Sequence, residues 1–278
     1  MNFRTQYYSA LGVKSIQIKP SLDHELSQNI LDTEKLIKLC LWVRIPHDFR
    51  FVIWKVLTGV LPPLKDAWDF IQYQQLQEFK DLSHFMQSSS EFTPLDLVKM
   101  ILFSNSIEPH FAESSHLLPL AAAFIDMCPS NCEAFFIFRA LITKLHIPIH
   151  GEFHVEKDIQ SMINLISKHE PEIYQKCTRL SVNFHHLCRF WFQSFFSTIL
   201  RSENLESIWD IVIAGEYPLL CYVGLGLMIS VKHRILNAET KQDIEYILSR
   251  IRDYIDSDFA TNTAINIWEI PLLEKPGN

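Results

Sequence analysis

Glycine is scarce in this chain, with seven among 278 residues. None falls in a G-x-x-x-x-G-K arrangement, which excludes a phosphate-cradling loop of that kind. So few glycines also leave little material for the tight turns of a many-stranded sheet. Long apolar runs are missing as well. No stretch of about eighteen uncharged apolar residues occurs, so no helical membrane span is expected. The opening Met-Asn-Phe-Arg-Thr-Gln-Tyr-Tyr lacks the apolar core of a signal peptide, and a cytoplasmic location is the expectation. There is no basic stripe, and 25 Lys and Arg stand against 32 Asp and Glu for a net charge of −7. Phosphate-backbone binding needs clustered cations, so nucleic acid is excluded as a main partner. Cysteine is dispersed: four of the six, Cys40, Cys177, Cys188 and Cys221, sit in apolar periodic segments and read as reduced, buried thiols. Cys128-x-x-x-Cys132 has no second pair at ligand spacing, and His185-His186-x-Cys188 spreads over different helix faces. No metal and no cofactor is expected.

What is present is apolar periodicity. A hydrophobic fraction of 48% is ample for a sizeable core, and apolar residues recur at helical spacing through most of the chain. The expectation is an all-α domain of about a dozen helices. Thr93-Pro94-Leu95-Asp96 offers a hydroxyl cap, a proline at the first helical position and an acid at the third. Ser130-Asn131-Cys132-Glu133 reads as a capping box before an aromatic helix. From Thr240 onward, Ile244, Ile247, Leu248, Ile251, Tyr254 and Ile255 share one face, which predicts a single amphipathic surface helix. Connectors are expected at Leu61-Pro62-Pro63, Ser88-Ser89-Ser90, Ser104 to Ser115 and His146 to Gly151. None is long enough to require a domain boundary, so residues 1–30 form an N-terminal segment and 31–278 one domain that includes the C-terminal helices.

Two distant motifs stand out: Ile45-Pro46-x-x-x-Arg50-x-x-x-Trp54-x-x-x-x-Gly59 and Ile208-Trp209-Asp210-x-x-x-x-Gly215. Arg50 and Trp54 are four residues apart and share a helix face. Their plain reading is structural, a packed indole with a satisfied cation beside it. Asp210 stands among apolar neighbours and must be hydrogen-bonded when buried, with Arg50 as the candidate partner. Together these motifs resemble those of the TBC family, whose domains usually activate Rab GTPases. The resemblance runs from about residue 31 to 236. It takes in Ala134-Phe135-Phe136-x-Phe138 and Trp191-Phe192-x-x-Phe195-Phe196, although Arg44 and Ser207 stand where the family has a glycine and an arginine.

GTPase activation in that family uses an arginine from an Ile-x-x-Asp-x-x-Arg segment and a glutamine from a later Tyr-x-Gln. Here the first aligns with Thr93-x-x-Asp96-x-x-Lys99 and the second with Glu113-Ser114-Ser115. Lysine lacks the planar fork that spans two phosphate oxygens, and serine cannot reach a water as a glutamine amide does. An arginine finger is worth about 10³ to 10⁵ in rate, so the degenerate positions Lys99 and Ser115 predict a chain that is not a catalyst. A literal Tyr73-Gln74-Gln75 lies upstream of Asp96, in the wrong order.

In the segment from Ala67 to Met86, Trp68, Ile71, Phe79, Leu82 and Met86 form a stripe toward the core, while Phe70 and Tyr73 fall on the opposite side. Packing against another helix of the same domain would explain those two aromatics. A groove for a partner helix is the sharper reading, with Gln77, Lys80 and His84 as its polar rim. Asn2-Phe3-Arg4 with Tyr7-Tyr8, Leu31 to Leu36, and Trp54 to Pro63 are similar to a small divergent branch of the TBC family. That branch forms the third subunit of the hamartin–tuberin complex of tuberous sclerosis. The resemblance implies a non-catalytic adaptor that holds a hamartin-like coiled coil and, with tuberin, restrains Rheb and target-of-rapamycin growth signalling. Recruitment to the lysosomal surface would come through that complex. The rival expectation is a Rab GTPase-activating protein with atypical catalytic residues.

Overall fold

The computed structural model of the chain describes residues 18–86, 92–105, 115–149 and 154–273. Its elements are α1 (Ile18–Ser27), α2 (Thr33–Trp42), α3 (His47–Leu57), α4 (Trp68–Phe85), α5 (Pro94–Ser104), α6 (Leu117–Met127), α7 (Asn131–Lys144), α8 (Glu156–His169), α9 (Pro171–Arg179), α10 (Phe184–Gln193), α11 (Ser202–Ile213), α12 (Leu219–Ser230), α13 (Lys232–Asn237), α14 (Lys241–Ser249) and α15 (Ser257–Leu273). The fold is all-α. Its helices exceed a dozen because pieces as short as the six residues of α13 are below the length at which periodicity can be read. Among the described residues the extended pairing is one antiparallel bridge between Ile30 and Leu64. The serine run at 88–90, Glu113 and Ser114, and the N-terminal residues 1–17 lie outside the described residues.

Helix starts follow their capping chemistry. Thr93 and Asp96 close a full capping box on α5, and Thr240 and Asp243 close another on α14. At α7 only half of the expected box forms. Ser130 accepts the Glu133 N–H, but the Glu133 carboxylate turns away to pair with Lys55 on α3. A buried ammonium, Lys55 being 7% exposed, claims the carboxylate more strongly than a backbone N–H that water can reach. The single helix expected after Thr240 also differs. α14 ends at Ser249, and a 3₁₀ turn at Ile251–Asp253 follows. Ile244, Leu248 and Ile251 are buried all the same.

The described residues fall into two compact units, one drawn from Met1–Glu152 with Ile213–Gly215, the other from Phe153–Val212 with Glu216–Asn278. In the first, Leu22 of α1 joins Leu31, Leu36, Cys40, Ile45, Ile53, Val56 and Leu61 in one cluster, with Trp68, Ile71 and Ala214 packed on it. The described part of the segment before residue 31 is thus anchored in this core. An aromatic chain continues it: Trp54 meets Phe124 edge-on, and Phe124 stacks on Phe138 at 5.4 Å. In the second unit α12 is the centre, packed on α8 and α15. Leu219–Ser230 is apolar nearly all round, as a helix covered on every side must be. Gly226 sits where a Cβ would lie 2.3 Å from the Ala260 carbonyl oxygen of α15. α8 shows the half-covered pattern instead, burying Ile159, Met162 and Ile166 on one stripe.

Candidate functional site

The glycines that end the two motifs are turn positions. Gly59 and Gly215 have φ of +80° and +116°, backbone that side-chain-bearing residues rarely adopt, and each follows a helix end. A Cβ at either would meet nothing within 4 Å, so the glycines serve the backbone and not packing. In the first unit, Lys144 at the end of α7 draws the two ends together: its Nζ donates to the carbonyls of Leu57 and Ile213 at 2.8 Å each. These are the last residues of α3 and α11, where unpaired carbonyls concentrate negative charge. Desolvation lowers the Lys144 pKa. The sequence reading missed this lysine. A basic residue in a helix's last turn is a recognisable signal, but nothing local names two distant helix ends as its acceptors.

Beside Lys144 lies a cleft of about 620 Å³, bounded by Thr58 to Val60, Gln75 and Glu78 of α4, Ser104 and Asn105, and the α7 face from Phe136 to Lys144. Its charges are matched internally. Arg139 donates to Glu78 at 2.5 Å, and its guanidinium lies 4.9 and 4.7 Å from the rings of Phe135 and Phe136. A smaller cleft of about 220 Å³ shares Val60, Gln75 and Phe136 and adds Lys55, Leu76, Cys132 and Glu133. There the Cys132 thiol is pushed up to about 11, by burial first and the Glu133 charge second. It is therefore a protonated thiol at neutral pH and a poor nucleophile. Among the described residues, no group of three His, Cys, Asp or Glu could hold a metal ion.

Lys99 and Ser115, the two positions singled out in the sequence for a catalytic comparison, lie apart in sequence and setting. Lys99 is half-buried in the middle of α5, and Ser115 is exposed in the turn before α6. Asp96 of the same segment is committed to the cap, its Oδ2 accepting the Thr93 N–H at 2.9 Å and the Thr93 hydroxyl at 2.6 Å. Next to Ser115, His116 is buried and hydrogen-bonds the Pro148 carbonyl through Nε2 at 2.8 Å. Burial holds its pKa below the ordinary imidazole value.

The structural motif residues are interior. Trp54 is fully buried, and Arg50 donates to the Ile45 carbonyl at 2.5 Å, within its own motif. Trp209 donates from Nε1 to the Phe195 carbonyl at 3.3 Å, where Phe195 and Phe196 hold φ of +47° and +65°. Two successive buried phenylalanines in left-handed backbone are a costly arrangement that surrounding packing must impose. Asp210 is 1% exposed. Arg50 belongs to the first unit and Asp210 to the second.

α4 presents a different kind of surface. None of its 18 residues is fully buried. Its inner side is fixed by Trp68 Nε1 donating to Pro62 O at 2.8 Å, Gln75 Nε2 donating to Val60 O at 2.9 Å, and Phe79 against Phe135 at 6.1 Å. On the outer side Phe70 and Tyr73 are 68% and 59% exposed. Lys80 and His84 are exposed on the same face, and Gln77 is half-buried. Near the start of α4, Leu64 and Ile30 of the two-residue bridge are also exposed apolar side chains. Contiguous exposed apolar groups with a polar rim are the form of a partner surface.

Residues 116–236 match the family model of the Rab-GTPase-TBC domain. The chain is similar to TBC1 domain family member 7 of Bos taurus and of Danio rerio, 25% identical to each over 281 residues, covering 96% of this chain and 94% of each relative. The Homo sapiens protein of that name is 24% identical over 282 residues, with the same coverage. The fold is also that of solved structures. The Ypt/Rab-GAP domain of Gyp1p superposes with a TM-score of 0.63 at 14% identity, over 93% of this chain and 99% of that one. The flagellar RabGAP TBC domain of Chlamydomonas does so with a TM-score of 0.64 at 13% identity, over 96% of each.

Proposed function

We propose that this chain, whose residues 116–236 match the Rab-GTPase-TBC family model and whose described residues are all-α, works as a non-catalytic adaptor built on that fold. In this reading the outer face of α4 takes the coiled coil of a hamartin-like partner. Through that partner and tuberin the chain supports a complex that inactivates Rheb and restrains target-of-rapamycin growth signalling, with lysosomal recruitment following from the complex. The observation that carries the reading is the exposure of Phe70 and Tyr73, 68% and 59%, on a helix whose other side is already fixed to its own unit. Aromatic anchors on one helical face are the usual source of affinity in helix-to-helix recognition. Lysine and serine at the positions that align with the arginine and glutamine fingers support the non-catalytic half of the reading. Among the described residues no helix is long and apolar enough to cross a membrane.

The test pairs two measurements on the full chain. The first is affinity for a hamartin C-terminal coiled-coil peptide, which should fall at least about thirtyfold in a Phe70→Ala/Tyr73→Ala variant. Unchanged affinity in that variant removes α4 from the interface. The second is GTP hydrolysis by a panel of Rab proteins, where no acceleration is expected. Acceleration that disappears on Lys99→Ala overturns the adaptor reading in favour of an activator with atypical fingers.

A further inference from the structure

The cleft of about 620 Å³ in the first unit plays no part in the adaptor reading: neither Phe70 nor Tyr73 lines it, and neither do Lys99 and Ser115. Its volume is that of a small-molecule site, and such sites fix their ligand with a few convergent polar groups. Arg139 and Thr143, about one turn apart, line it from α7 with Lys144 at the helix end, and Gln75 and Glu78 line it from α4. These groups are only partly engaged. Arg139 gives one N–H to Glu78, and among the described residues its other donors have no partner. Lys144 spends two N–H groups on the Leu57 and Ile213 carbonyls, and an ammonium has three. Gln75 donates to Val60 O and keeps its side-chain oxygen. The Thr58 and Thr143 hydroxyls donate to the Trp54 and Arg139 carbonyls, which leaves their oxygens as acceptors. Spare donors and spare acceptors therefore line one space.

The charge balance decides what can fill it. Arg139 is matched by Glu78, and Lys144 rests on two helix ends, each worth about half a negative charge. A phosphate or carboxylate would compete with Glu78 for Arg139, and a ligand ammonium would compete with Arg139 for Glu78. An aromatic ligand finds no open ring to stack on, because Phe136 is 5% exposed and lies under the Arg139 guanidinium. An apolar ligand would strip water from the ion pair without replacing its hydrogen bonds. A hydroxyl group both donates and accepts and carries no charge. An uncharged molecule with several hydroxyls satisfies both sets at once.

We propose that this cleft binds a neutral carbohydrate, with Arg139 and Lys144 donating to its hydroxyl oxygens and Glu78, Gln75 and Thr143 accepting from its hydroxyl groups. The site does not depend on the adaptor reading. The test is saturation-transfer NMR on the full chain with D-glucose, D-galactose, D-mannose, maltose and lactose, beside glucosamine and glucose 6-phosphate as charged controls. Saturable binding of at least one neutral sugar is expected, with the charged sugars weaker. Affinity for that sugar should fall about tenfold or more in Arg139→Met, which removes charge-assisted donors. The Arg139 and Glu78 side chains are 30% and 44% exposed, so water can solvate the carboxylate left behind, and the urea midpoint checks that the variant is folded. Ala140→Leu, which intrudes on the cleft and leaves every charge in place, should weaken binding as far. Binding of none of the neutral sugars, tighter binding of either charged sugar, or undiminished binding by either folded variant overturns the proposal. The Phe70→Ala/Tyr73→Ala variant should bind sugar as the parent does, and a loss there would place the sugar on the outer face of α4 and overturn the proposal as well.

Discussion

α4 buries none of its 18 residues, whereas nine of the twelve residues of α12 are buried. Composition already separates them in part, since α12 is apolar nearly all round while α4 interleaves its aromatics with Asp, Gln, Glu and Lys. The rest of the difference lies in the partner each side chain finds. α12 is enclosed to the point that Gly226 meets the backbone of α15, and every substitution there must be accommodated by packed neighbours. α4 is held on one side by Trp68, Gln75 and Phe79 and leaves Phe70 and Tyr73 in solvent. Apolar surface kept through folding without a fold-level reason points to function, and enclosed apolar surface points to stability.

The comparison breaks most readily at Gly226. A Cβ there would stand 2.3 Å from the Ala260 carbonyl oxygen, so Gly226→Ala should destabilise the chain by about 3 kcal/mol, read as a fall in the urea midpoint. Gly224→Ala should cost about 1 kcal/mol, because the atom it meets is the flexible Met162 thioether. On the inner side of α4, Trp68→Ala loses a half-buried indole and its bond to Pro62 O and should cost about 2 kcal/mol. If it costs nothing, α4 is not anchored as described. On the outer side, Phe70→Ser/Tyr73→Ser should change stability by less than about 0.5 kcal/mol, measured by the same titration. A loss comparable to that of Trp68→Ala would mean that the outer face is covered after all.

The smallest effect expected is in pH dependence. Burial lowers the His116 pKa, so below the ordinary imidazole value near 6.5 the unfolded chain binds a proton that the folded chain resists. Stability should therefore fall as pH drops through that range, and His116→Gln should flatten the slope relative to the parent. A slope unchanged by that variant would assign the dependence to other groups.

The all-α class, the starts of α5 and α14, the packing of Trp54 and the placement of Phe70 and Tyr73 on the side of α4 away from its core stripe were legible in the sequence, whereas what would cover those two aromatics was not. Each follows from a pattern within about one helix length. Less legible were the features that join distant residues. Glu133 looked like half of a local capping box and instead pairs with Lys55, 78 positions away. Lys144, which the sequence reading passed over, donates to the last carbonyls of two other helices.

By itself, the sequence determined which segments are helices and which faces are apolar, because 3.6-residue periodicity and cap chemistry act over a few residues. The tertiary structure alone decided which charges meet, which carbonyls are capped and which aromatics remain in water. Those outcomes depend on distances between groups far apart in the chain, and ion pairs and hydrogen bonds decay too steeply with distance to be read from residue order.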